Sequence, residues 1–359
     1  MNKALSNTWI QSSWHRTVTW VLFCGGLVLL AVLLWRMGPG TILTQLAAVG
    51  WKLPLVVLPY VFVAVFDALG WWYAFPQKPY PYGYFDLFRR RLAAKAINDV
   101  TPAFSMAGEL AKVHVLQLRG IDGATAVASV VAAKTTLTLS ELWFLFIALL
   151  LVPLKVPAAG VLFPEVWIGL LVAGLGIAGV ILWQRNGLFC PFIDLYQRLG
   201  LPMRFIKRYL QVMESTDEKL GEYMRESRKD FWLSCVTHFI GWVAGGLEVW
   251  IILTCMGVQI DLGTAVVVEA LLVIVQGVTG FVPGNIGTLE GGAVGIFLWI
   301  GLTPQSALAF MLLRRLRQVM WAGAGFAILG RLAHDEPAPP AESHPSMRED
   351  LNEGKESLY

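Results

Sequence analysis

The residues most able to do chemistry in this chain stand where the surrounding sequence is apolar. The stretch FVPGNIGTLEGG, Phe281 to Gly292, places Pro283, Gly284, Asn285, Gly287 and the carboxylate of Glu290 between two long hydrophobic runs. Further on, MLLRRLRQ sets Arg314 and Arg317 three apart on one helical face, with Arg315 turned roughly 100° away. Guanidinium groups bind phosphate and carboxylate through a planar fork of donors, and the exposed N–H groups of a helix N-terminus favour an anion, so a polar turn beside arginine suits a phosphorylated ligand. Thr288 is placed to cap the helix after the turn. A charge deep in a membrane span costs about 2.5 to 3.5 kcal/mol. Lys134, Glu141, Glu248, Glu269, Glu290, Arg314, Arg315 and Arg317 all fall in apolar segments. They must pair or face water. Two readings stay open at this point: phosphate clamps, or interhelical salt bridges such as Glu290 with Arg314 or Arg315.

No catalytic constellation accompanies these charges. The sequence contains no HExxH, GxSxG or P-loop, and no histidine pair at metal-ligand spacing. Cys24, Cys190, Cys235 and Cys255 are not paired in spacing and read as packing residues. The expectation is no catalytic residue, no metal, no cofactor and no nucleic-acid partner.

The elements that position the charges follow from composition. Of the 359 residues, 56% are hydrophobic and 15% charged, and the mean hydropathy is +0.60. That leaves too little polar surface for a soluble core, so the fold class is an all-α polytopic membrane protein. Crossing about 30 Å of hydrocarbon takes roughly 20 apolar residues. Full crossings are expected at Thr17–Trp35, Leu53–Ala74, Ala124–Leu154, Val166–Trp183, Phe231–Met256 and Pro304–Gly330. Leu92–Leu118 is too polar, and Leu262–Ile300 too broken, for a simple crossing; both read as re-entrant helical hairpins.

Basic residues around Lys3 and Arg16, around Lys78 and Arg89 to Arg91, and from Arg185 to Lys229 put those segments and both termini in the cytoplasm. Within Arg185–Arg228 the second part reads as an interfacial helix against anionic lipid. Residues from His334 on are rich in Pro, Glu and Ser and read as a disordered tail.

The chain also repeats itself. Glu290 follows Glu109 by 181 positions, and the same offset joins Trp51 to Trp232, Asp67 to Glu248, Pro102 to Pro283, Gly120 to Gly301 and Lys134 to Arg315 without a gap. Each half therefore carries an embedded acid, a broken hairpin with a glutamate, and a crossing with a base. The odd number of passes between them inverts the second half. The expected organisation is 1–50 lead and first span, 51–160 repeat half one, 161–230 linking span and cytoplasmic amphipathic segment, 231–330 repeat half two, and 331–359 tail.

VPGNIGTLEGG followed by GLTPQSALAFMLLRRLRQ resembles the Pro-Gly-Gly-x-Gly-x-x-Glu-Gly signature and downstream Arg helix of the flippase-like transmembrane domain of lysylphosphatidylglycerol synthases. TPAFSMAGELAKVHVLQLRG resembles that family's Pro-x-x-x-Gly-Glu-Leu element. Asn285 stands where Gly is usual, and the spacing from Pro102 to Gly108 is longer. The resemblance implies a bacterial inner-membrane protein that moves a lipid between leaflets, whether phospholipid, aminoacylated or glycosylated lipid, or hopanoid or prenyl lipid. It also implies functional positions at Glu109, Pro283, Gly284, Gly287, Glu290 and Arg315; Lys134, Asn285 and Arg314 join them as expected substrate contacts on their own residue types and places. The family's aminoacyl-transfer domain is not recognised, so a stand-alone, non-enzymatic member is expected. Its partners would be charged-headgroup lipids, lipid-synthesis enzymes and further copies of the chain. The rival readings are a membrane enzyme modifying a headgroup and an accessory scaffold of a lipid-synthesis complex.

Overall fold

A computed structural model describes residues 49–76, 83–100, 106–155 and 207–335 continuously, with scattered helical positions besides. The expected spans Thr17–Trp35 and Val166–Trp183, the proline at Pro102, Cys24, Cys190 and the tail beyond 335 lie outside the described residues. Among the described residues every regular element is helical. The order is α1 (Leu53–Val57), α2 (Tyr60–Tyr73), α3 (Tyr84–Val100), α4 (Met106–Gln117), α5 (Gly123–Lys155), α6 (Lys207–Glu226), α7 (Arg228–Cys255), α8 (Leu262–Val278), α9 (Thr288–Trp299) and α10 (Pro304–Asp335). Three described helical stretches are long and apolar enough to cross a bilayer: Gly50–Tyr73, Gly123–Lys155 and Arg228–Cys255.

Helix boundaries in the two halves follow the 181-residue offset because the same local chemistry sets them. α4 and α9 end in matching turns: Gly120 and Gly301 take φ of 85° and 84°. The N–H of Ile121 reaches back to Leu116 C=O at 3.2 Å, and that of Leu302 to Phe297 C=O at 2.7 Å. This is the Schellman stop, which needs a residue tolerant of the left-handed region. The next helix then starts on an equivalent cap. Asp122 accepts from Thr125 N–H at 3.0 Å before α5, and Thr303 accepts from Ser306 N–H at 3.3 Å before α10.

Packing repeats the same relation. The equivalent helices α2 and α7 lie against each other, with Gly70 facing His238 and Gly241 facing Asp67. Residue numbers thus rise along one as they fall along the other. Ser234 Oγ donates to Gly70 C=O at 2.8 Å at this crossing. Each half lends the first helix of its hairpin to the other: α3 packs on α10, and α8 packs on α5. The α5/α8 seam buries Phe144, Leu145 and Ala148 against Ala270 and Val273. Lys155 Nζ bonds Asp261 at 2.8 Å where α5 ends and α8 begins. That bond, with those from Thr264, holds the Asp261 carboxyl at about 2. The α3/α10 seam is closer still. A Cβ on Gly325 would sit 2.5 Å from the Leu92 carbonyl oxygen, so only glycine lets these backbones meet.

Two expectations change. Arg90 and Arg91 are helical and buried, 0% and 8% exposed, rather than loop residues. α6 turns its apolar side, including Leu220 and Tyr223, into the protein against α5 and not onto lipid. Lys219 ties it to Asp122 at 3.0 Å. Its open side carries Glu214, Glu218, Glu222 and Glu226, one carboxylate per turn, which an anionic surface repels.

Gly325→Ala is expected to lower the apparent melting temperature in detergent micelles, because overpacking against a backbone oxygen costs about 1–3 kcal/mol. Gly323→Ala, where an added Cβ meets nothing within 4 Å, is expected to leave it unchanged or raise it.

Candidate functional site

The turn between α8 and α9 is a break in the backbone made by residue type. Gly284, Asn285 and Gly287 take φ of 61°, 50° and 79°, and Asn285 is the one non-glycine residue with positive φ among the described residues. Glycine enters this region freely, and asparagine does so at lower cost than most side chains. Thr279 Oγ1 donates to the Asn285 side chain at 3.0 Å and steadies that conformation. The following helix starts at Gly287, not at a threonine cap: Thr288 is already helical, and its hydroxyl donates to Asn285 C=O at 3.2 Å. Glu290 supplies the terminal acceptor, taking the Gly287 N–H at 2.6 Å. The helix N-terminus is therefore met by a carboxylate of the chain itself.

Arg315, reaching over from α10, completes the turn. Nε donates to Glu290 Oε1 at 2.8 Å, and Nη1 to Gly284 C=O at 2.9 Å and to Gln318 Oε1 at 3.2 Å. Nη2 donates to Asn285 C=O at 3.3 Å. One planar fork thereby satisfies a carboxylate that is 1% exposed and two carbonyls that the broken backbone leaves without helical partners. A lysine, a single charged point, could not span these acceptors.

The neighbouring arginines have other duties. Arg314 takes both oxygens of Glu269, at 2.8 and 3.1 Å. Arg317 donates to Glu248 at 2.8 Å and lies over the Tyr60 ring at 4.4 Å. All three arginines thus have carboxylates, and Arg314 does not contact the turn. Pairing offsets the cost of carrying these charges between apolar helices.

The first half is built differently at the equivalent positions. Glu109 pairs with Lys112 on its own helix at 2.9 Å, and Lys112 also lies over the Trp71 ring at 5.5 Å. Gly108 N–H donates to Asn98 Oδ1 at 3.2 Å, and a Cβ there would meet that side chain. Lys134, the counterpart of Arg315, is exposed. Among the described residues neither Lys134 nor Glu141 has an ion-pair or hydrogen-bond partner for its side chain. The two interact electrostatically with one another, and Lys134 with Lys112. The site residues read from the sequence therefore separate into two places. Gly284, Asn285, Gly287, Glu290 and Arg315 form the second-half turn, with the backbone of Pro283 in it. Glu109 and Lys134 belong to the first-half group, and nothing joins Lys134 to Arg315. Sequence reasoning missed Lys112 and Arg91. The first was legible as a base three residues after Glu109. Arg91, which pairs with Asp67, was hidden by its place in a basic run. Among the described residues no three His, Cys, Asp or Glu side chains are grouped to hold a metal ion.

Arg315→Met is expected to cost about 3–5 kcal/mol, since it strands a buried carboxylate. Glu290→Gln added to it should restore part of the loss. Thermal unfolding of the four proteins in micelles gives the coupling; additive losses would mean that the pair contributes nothing.

No curated protein and no solved structure matches the chain. The family model of the lysylphosphatidylglycerol synthase TM region matches residues 20–325. That stretch takes in the first half, the second half as far as residue 325, the broken turn and every arginine pair described above. On that match the chain belongs to the lysylphosphatidylglycerol synthase transmembrane-region family and is a helical membrane protein.

Proposed function

We propose that this protein translocates a lipid with a charged headgroup between the leaflets of the bacterial inner membrane. The family places it in lipid metabolism or translocation. The observation that carries the finer reading is the unequal state of two equivalent sites. In the second half Arg315 closes the broken turn with four acceptors, whereas in the first half the equivalent Lys134 stays open. A carrier that shelters a polar headgroup while acyl chains remain in lipid needs one site closed while its twin is accessible.

In this reading six helices cross and two hairpins, α3/α4 and α8/α9, enter from opposite sides, with both termini cytoplasmic. Two ion pairs support the sidedness. Lys219–Asp122 sets the basic-flanked α6 beside the start of α5, and Lys155–Asp261 sets the far end of α5 beside the start of α8. Lys134 and Arg315 meet lipid phosphate in alternation; Glu290 holds Arg315 between visits, and Glu109 holds the neighbouring Lys112. Pro283, Gly284, Asn285 and Gly287 let the backbone approach the headgroup closely. Arg314 acts through Glu269 in positioning α10, not by touching lipid. The chain acts without chemistry on the lipid and without a cofactor.

Proteoliposomes containing the purified chain and headgroup-labelled phospholipid are expected to exchange label between leaflets faster than empty vesicles. Arg315→Met should slow that exchange by about tenfold or more, the effect of roughly 1.4 kcal/mol on a barrier. Protein-containing vesicles no faster than empty ones, across phospholipids and prenyl lipids, would overturn the reading. Cysteines replacing Arg119 and Ile300, in the two equivalent turns, are expected to react with impermeant reagents from opposite faces of the membrane; labelling from one face would refute the inverted insertion.

A further inference from the structure

Much of the N-terminal half of α5 is buried. Ala124, Thr125, Ala126, Ala128, Ser129, Ala132, Ala133, Thr135 and Thr136 are covered by neighbouring helices. Along one helical face Lys134 is exposed, and Val127, Val131, Thr138 and Glu141 are half-buried. The same face continues as Leu145, Ala148 and Val152, which are buried at 7%, 0% and 4% exposure in the clusters that also hold residues of α8. The uncovered strip is therefore the inward face of the helix at the point where its packing partner has ended, not a face turned to lipid. Its outward-facing apolar residues, such as Trp143, Ile147 and Leu150, point the other way round the helix. The wall beside the strip is α4, with Lys112 and Glu109 already paired to each other.

What the strip lacks is specific. Lys134 and Glu141 feel each other's charge along the helix, but among the described residues neither makes an ion pair or a side-chain hydrogen bond, though both lie in a helix long and apolar enough to cross the bilayer. Left in hydrocarbon, each is unfavourable by amounts that pairing normally offsets. The charges around the strip balance: Lys112 with Glu109, Arg91 with Asp67, and Lys134 with Glu141, so the strip attracts no net ion. It complements a neutral group whose own charges are separated. Such a ligand brings an anion to Lys134 and a cation to Glu141 at once, with Thr138 between them.

We propose that this strip is a binding site for a zwitterionic phospholipid headgroup, the phosphate on Lys134 and the amine on Glu141. The site rests on the translocase reading for its purpose but not for its existence. A purely anionic headgroup, such as that of phosphatidylglycerol, satisfies Lys134 and leaves Glu141 facing phosphate oxygens. It is therefore excluded by repulsion as well as by a missing contact. Arg315 offers no equivalent in the second half, where the turn and Glu290 fill the guanidinium.

The test is equilibrium binding of short-chain phosphatidylethanolamine and phosphatidylglycerol, of equal acyl length, to the full chain in neutral detergent micelles. The unaltered protein is expected to prefer the ethanolamine lipid by about tenfold, the scale of one charge-assisted hydrogen bond. Lys134→Gln should weaken both lipids, and Glu141→Gln should remove the preference by raising the glycerol lipid. Equal affinities in the unaltered protein, or a preference that survives Glu141→Gln, would overturn the proposal, and the first of these needs no variant to fold. Leaflet exchange is measured separately. A preference in protein that moves no lipid refutes translocation and leaves the site standing; equal affinities in protein that does move lipid refute the site alone.

Discussion

A helix that stops inside an apolar bundle leaves N–H and C=O groups with no partner, and nothing in hydrocarbon can supply one. The second half of this protein meets that constraint with one side chain. The guanidinium of Arg315 takes up two carbonyls of the broken turn and the buried carboxylate of Glu290, and Glu290 in turn accepts the first free N–H of α9. Each group answers a deficit in another. Without the arginine the carboxylate is stranded; without the carboxylate the helix start and the arginine lose their common acceptor.

That closed circuit explains why the surrounding charges are tolerable. Arg314 with Glu269, and Arg317 with Glu248, join α10 to α8 and α7, so with the Arg315–Glu290 pair the arginine-rich helix is tied to all three of its own half's earlier helices. α10 is pinned to the other half at the Gly325 approach to α3. The ionic pairs and the glycine contact together hold α10 in one register, and the turn depends on that register for its clamp.

The halves share helix boundaries, stops and caps but not their ionic wiring. Position 112 is lysine where the equivalent position, Ala293, has no charge, and this lysine takes Glu109 away from Lys134. The consequence is an exposed lysine on α5 in one half and a sealed turn in the other. A family membership that points to lipids acquires a physical counterpart in that difference: one place where charged groups are already satisfied and one where they await a complement.

Much of this was legible in the chain. Length and hydropathy dictate helices in a membrane, because a backbone without water must bond to itself. The 181-residue offset follows from matched glycines, prolines and acids, whose local effects on stops and caps need no tertiary context. The glycine-rich turn and its glutamate could be recognised for the same reason. Tertiary structure decided which charge meets which. Three arginines within four residues offer equal partners to any carboxylate nearby, and only the packing of α10 against α8 and α9 assigns Glu269 to Arg314 and Glu290 to Arg315. Composition placed α6 on lipid, yet its apolar side belongs to α5, and an amphipathic pattern cannot say which apolar surface it will meet. Residue type and spacing determine local backbone and the need for partners; the identity of those partners is set by which helices touch, a property of the folded chain alone.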